Sequence, residues 1–223
     1  MNVECPTQAS SFHPPARLRI NLPNQITILR LILSVAFFCC IAPFDARRPR
    51  LWLLDVAFVL FVVAGLSDIL DGYLARKWKQ ITSFGRVIDP FVDKILVIGA
   101  YIFLAGDGFV NRQGVKVSDV SAWMVVIILG RELLVTSLRG VSEAAGQSFG
   151  ATVYGKAKMA LQSITVGWVL VTVAHPDGFF GQAPFTVGRV IMIYLTIGAT
   201  LLSMIPYVWN ARGMLSQTSA SLP

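Results

Sequence analysis

The sequence predicts an all-α integral membrane protein: a bundle of six transmembrane helices with both termini in the cytosol. Three observations lead there. First, 55% of the 223 residues are hydrophobic and only 14% are charged, whereas a soluble domain carries about a quarter charged residues; the mean hydropathy is +0.65. Second, apolar stretches long enough to cross a bilayer core of about 30 Å in helical form recur along the chain. Third, Lys and Arg gather in short clusters between those stretches, as they do where loops are sorted across a membrane.

Residues 1–22 read as a cytosolic tail. They are polar and proline-containing, and they lack the basic start, apolar core and small-residue cleavage site of a signal peptide. Arg17 and Arg19 bring the end of this tail to the membrane surface. Residues 23–210 form the membrane domain, with spans expected at about 26–44, 51–70, 87–105, 120–138, 157–173 and 187–208, each bounded by charge, Gly or Pro. Residues 106–119 and 140–156 are the longest connections. Residues 211–223 form a second cytosolic tail. No extramembrane segment is large enough for separate chemistry, so an active site belongs in the bundle or at its mouth. Cys5, Cys39 and Cys40 have neither disulfide nor zinc spacing and read as packing residues.

The net charge of +7 forms no single stripe, which argues against nucleic acid and for anionic lipid head groups. An inner N-terminus puts Arg17, Arg19, Arg76, Lys77, Lys79, Arg86, Arg139, Lys156, Lys158 and Arg212 on the cytosolic side. Arg47, Arg48, Arg50, Arg112, Lys116 and Arg189 then lie outside. The inner side holds the majority, and the 47–50 cluster runs against it.

The segment 67–94, SDILDGYLARKWKQITSFGRVIDPFVDK, carries the chemistry. Asp68 and Asp71 are i and i+3 on one predicted helix, and Asp89 and Asp93 are i and i+4 on the next, so each pair shares a face. Carboxylates inside a membrane segment mark function. Four together stay ionised only with cations among them. Facing pairs suit two divalent ions, and hard oxygen donors favour Mg²⁺ or Mn²⁺. Gly72 and Ala75 leave room beside the helix, and Arg76 can grip phosphate. Thr82 and Ser83 can bind a ligand or cap the next helix. Gly85 permits close approach. Pro90 removes one backbone hydrogen bond and is expected to kink that helix. A transporter's ion site is the competing reading.

In order, Asp68-x2-Asp71-Gly72-x2-Ala75-Arg76-x8-Gly85-x3-Asp89-x3-Asp93 resembles the signature of the CDP-alcohol phosphatidyltransferase family at every specified position. The likeness covers nearly the whole chain. It implies six membrane helices, a homodimer, and attack by an acceptor hydroxyl on the β-phosphorus of CDP-diacylglycerol with CMP leaving. It implies Asp68, Asp71 and Asp89 as metal ligands, and Asp93 as general base that also touches a metal. Gly72, Ala75, Arg76, Thr82 and Gly85 would line the CDP site. Pro23-Asn24-Gln25-Ile26-Thr27 resembles the family's PNxxT start and adds Asn24 and Thr27 to that site. The alternative is a helix cap at Asn24 and an interfacial Arg30.

Arg131, Arg139, Lys156 and Lys158 are expected to bind an anionic acceptor, and for Arg139, Lys156 and Lys158 contact with lipid phosphates is the plainer reading. Arg131 and Glu132 lie in an apolar run and are expected to face the bundle. RELLVTSLRG, GKAKMALQ and NLPNQITILRLIL resemble the bacterial phosphatidylglycerophosphate synthases within the family, which implies glycerol 3-phosphate as acceptor. Inositol phosphate, serine and phosphatidylglycerol are the alternatives, and a non-enzymatic cation carrier is the alternative of another class. The resemblance also implies the inner (cytoplasmic) membrane, with the site facing the cytosol.

Overall fold

The computed structural model describes residues 22–78, 83–144 and 153–206. For 22–24, 26, 68–78, 83–90, 93, 141–144, 153, 154 and 156 the description stops at the backbone. Within those residues the fold is all helical: α1 (Leu22–Ile41), α2 (Leu51–Trp78), α3 (Ser83–Ala105), α4 (Ala122–Ala144), α5 (Val153–Ala174) and α6 (Ala183–Leu202), with two short 3₁₀ turns at Asp107–Phe109 and Phe179–Gly181. The six expected helices are present, and their limits differ. The second helix runs on to Trp78, because backbone hydrogen bonding continues after the side chains turn polar. Helix also covers both ends of the expected 140–156 connection. α3 runs unbroken through Pro90, and the expected kink falls where only the backbone is described.

α1 and α6 turn apolar residues outward and carry polar residues within their buried stripes. On α1 the buried stripe is Thr27, Arg30, Ser34, Phe37 and Ile41, while Leu29, Ile32 and Val35 face outward. On α6 the buried stripe is Ile193, Thr196, Ile197 and Thr200, and Val187, Ile191, Tyr194 and Leu195 are exposed. A surface this apolar is unfavourable in water. α5 from Ala157 to Ala174 and α6 from Ala183 to Leu202 are each long and apolar enough to cross a membrane. Shorter apolar runs lie at Thr27–Ile41, Leu51–Ser67 and Lys94–Ala105.

Polar contacts hold the interior. Thr165 and Thr196 hydroxyls are 2.8 Å apart, Gln162 Nε2 donates to Thr200 Oγ1 at 3.3 Å, and Tyr101 donates to the Gln162 carbonyl at 3.2 Å. Such bonds join helices where burial against lipid offers no net drive. Around them packs an apolar core that includes Phe37, Leu54, Tyr101, Ile128, Leu170 and Ile193.

One end of the bundle is latched. Ala46 N donates to the Gly108 carbonyl at 2.8 Å, Arg112 Nε to the Arg47 carbonyl at 3.0 Å, and the Phe44 and Phe109 rings lie 4.7 Å apart. Arg189 Nε donates to Asp119 Oδ2 at 2.8 Å, and its Nη1 reaches Thr172 Oγ1 at 3.3 Å. These contacts gather the 42–50 and 106–121 connections with the start of α6. The last turns of α2 and α4 lie at the opposite end.

Candidate functional site

The aspartates occupy two consecutive helices. Asp68 and Asp71 are on α2, and Asp89 and Asp93 are on α3. The two helices touch, and only residues 79–82 separate them. Asp68 lies ten residues before Trp78 and Asp93 ten residues after Ser83, so both stand about 15 Å from the connection at 1.5 Å per residue. Asp71 and Asp89 stand about 10 Å from it by the same measure. The helical registers therefore bring the two pairs to matched depths, which is the arrangement a site shared between α2 and α3 requires. Four oxygen donors in that register fit hard divalent cations. Among the described side chains no group of three or more His, Cys, Asp or Glu is gathered; the four aspartate side chains lie outside that set.

The expected nucleotide residues divide in the same way. Gly72, Ala75 and Arg76 continue α2, and Gly85 lies in the first turn of α3. Thr82 lies outside the described residues. Asn24 is on α1, three residues before Thr27, whose side chain is buried. Arg30, one further step along that row, is 1% exposed. It is a residue of the bundle interior, and the interfacial reading of Arg30 is corrected. An interior arginine needs surrounding polar groups that a lipid-facing helix lacks, so its burial marks this face of α1 as part of the polar centre.

The fullest geometry surrounds Glu132. Arg131, Glu132 and Lys158 are 5%, 8% and 2% exposed. Arg131 Nη1 donates to Glu132 Oε1 at 2.9 Å, and Lys158 Nζ donates to the same oxygen. Lys94 Nζ lies 3.7 Å from Glu132 Oε2 and donates to Thr136 Oγ1 at 2.7 Å. Arg131 Nε donates to Ser203 Oγ at 3.0 Å. Residues of α3, α4, α5 and the end of α6 thus meet around one carboxylate. Arg131 and Lys158 were expected at an acceptor site, and the structure brings them together. Arg139 lies two turns further along α4 and is exposed. Lys156 is on the first turn of α5, where its side chain lies outside the description.

Sequence reasoning missed Lys94. The signal was present, since Lys94 is a cation inside an apolar run directly after Asp93.

A lateral groove of about 1070 Å³ lies between α2 and α5. It starts at Leu66, two residues before Asp68, and at Met159, next to Lys158. It runs past Gly65 and Trp168 to Asp55 and His175 at the latched end.

Known proteins resemble this chain over most of its length. The family model described as CDP-alcohol phosphatidyltransferase matches residues 20–207. A CDP-diacylglycerol–glycerol-3-phosphate 3-phosphatidyltransferase of Bacillus subtilis is 38% identical over 158 residues, 68% of this chain and 77% of that protein. A protein of the same name from Haemophilus influenzae is 30% identical over 206 residues, 89% of this chain and 97% of its own length. One from Salmonella typhimurium is 29% identical over 204 residues, 89% and 98% respectively.

Proposed function

The chain belongs to the CDP-alcohol phosphatidyltransferase family, and from that premise we propose that it transfers the phosphatidyl group of CDP-diacylglycerol to glycerol 3-phosphate, giving phosphatidylglycerophosphate and CMP. One juxtaposition carries the reading. Asp93, on the helix of the family motif, is followed directly by Lys94, and Lys94 reaches the Arg131–Glu132–Lys158 cluster. The proposed proton acceptor and the residue that reaches the proposed phosphate receptor are thus consecutive on α3, which supports a substrate bearing both hydroxyl and phosphate. Relatives named for glycerol 3-phosphate transfer, which match most of this chain, support the choice of acceptor.

Asp68, Asp71, Asp89 and Asp93 would hold two divalent ions, Mg²⁺ or Mn²⁺. When bound, these polarise the pyrophosphate and stabilise charge on the departing CMP. Asp93 takes the proton of the acceptor hydroxyl as its oxygen bonds to the lipid-linked phosphorus and the bond from that phosphorus to CMP breaks. Asn24, Thr27, Gly72, Ala75, Arg76, Thr82 and Gly85 bind the CDP head. Arg131, Arg139, Lys156 and Lys158 bind the acceptor phosphate. The groove between α2 and α5 gives an acyl chain a sideways path from the bilayer.

This reading includes six membrane spans, supported by the outward apolar faces. It includes cytosolic termini and a cytosol-facing site in the inner membrane, supported by the Lys and Arg excess at the aspartate end. Homodimerisation rests on the family resemblance. Purified protein offered CDP-diacylglycerol with glycerol 3-phosphate, serine, inositol phosphate or phosphatidylglycerol tests the function by CMP release. Turnover confined to glycerol 3-phosphate, lost on chelation and restored by Mg²⁺ or Mn²⁺, is expected. Turnover with another acceptor alone sinks the acceptor assignment, and ion flux without CMP sinks the class.

A further inference from the structure

Arg131 and Lys158 carry like charges, yet both lean on one oxygen of Glu132 in a nearly dry setting. Without that carboxylate they would separate, because little water is present to screen them. Each of the outer cations has a second anchor. Arg131 is steadied by Ser203, whose hydroxyl donates onward to the Thr200 carbonyl at 2.7 Å, and Lys94 is steadied by Thr136. The second Glu132 oxygen faces Lys94, so a single side chain couples α4 and α5 to the helix that bears Asp93.

We infer that Glu132 and Lys94 are positioning residues of the acceptor site. Glu132 fixes Arg131 and Lys158 side by side as a two-pronged receptor for a phosphate monoester. Lys94 ties that receptor to α3 and so sets the spacing between the acceptor's phosphate and the hydroxyl presented to Asp93. The inference rests on the proposed function, because it takes the acceptor to carry a phosphate.

The test is steady-state CMP release by the full-length protein in lipid nanodiscs, with each substrate varied in turn. Wild-type protein with glycerol 3-phosphate is measured first; absence of turnover there overturns the proposed function before any variant is compared. Glu132→Gln and Lys94→Gln are each expected to raise the acceptor KM about tenfold or more, with the CDP-diacylglycerol KM held within about twofold. Glu132→Asp, which keeps the charge, should recover most of that loss. A purely structural role would move both KM values together, and that outcome overturns the inference. If thermal unfolding shows that Glu132→Gln does not fold, the decision passes to Glu132→Asp and the less buried Lys94→Gln. An unchanged acceptor KM in Lys94→Gln then overturns it.

Discussion

In the proposed mechanism the acceptor hydroxyl gives its proton to Asp93. Asp93→Asn removes the proton acceptor and keeps the shape. Turnover should fall by at least about 10²-fold, the low end of the usual general-base contribution, while CDP-diacylglycerol binding measured by calorimetry is largely kept. Persistent turnover would dismiss Asp93 as the base. Arg131→Ala and Arg139→Ala separate two residues proposed for the acceptor site that sequence alone treats alike. Arg131 is buried against Glu132 and Arg139 is exposed, so the acceptor KM should rise more for Arg131→Ala. Equal effects would argue against a special role for the buried cluster. The aspartate motif was legible because its spacing is local, within helical turns. The Lys158–Glu132 and Lys94–Glu132 contacts were not, because they join residues 26 and 38 positions apart on separate helices.

At the scale of the element, helix identity was plain and helix extent was not. The residues of α2 after Leu70 read DGYLARKW, too polar to count as a span, yet the helix continues through them. Hydropathy locates the part of a helix that needs lipid, whereas backbone hydrogen bonding decides where it stops. The connection at 106–119 was legible only as a loop. Its order comes from Asn111, whose Oδ1 accepts from Gln113 N and Val115 N at 3.0 and 2.9 Å, and from Gly114 at φ +77°. Gly108 is the tightest point of the latch, for a Cβ there would lie 2.5 Å from the Phe44 carbonyl oxygen. Gly108→Ala should therefore destabilise the protein by about 1–3 kcal/mol, read as a lower midpoint of thermal unfolding. An unchanged midpoint would mean that the two connections part without cost.

Across the whole molecule, the outward-facing apolar residues of α1 and α6 suit the proposed bilayer setting, and its orientation can be tested. A periplasmic reporter enzyme inserted within 106–119 should be active, and the same enzyme fused after residue 223 should be inactive. The reverse pattern would turn the bundle over and place the aspartates on the far side. Overall composition made the membrane class legible, because an apolar exterior cannot be hidden in an average. The proposed orientation rests on a charge majority that Arg47, Arg48 and Arg50 run against, and all three are exposed on the latched end.

The pairing around Glu132 also bears on how the chain is made. A lone charge at the centre of a helix entering the bilayer costs about 2.5–3.5 kcal/mol on insertion scales. α4, a span in the proposed arrangement, carries Arg131 and Glu132 side by side, bonded to each other at 2.9 Å, and as a span it would enter as a nearly neutral segment. α3 carries Asp93 and Lys94 in consecutive positions, charges of opposite sign. Lys158, on α5, has no acidic residue within its helix. By the time α5 is synthesised, α4 is already present, and its Glu132 is the carboxylate that Lys158 meets. The order of the helices along the chain thus supplies the counter-ion before the cation that depends on it.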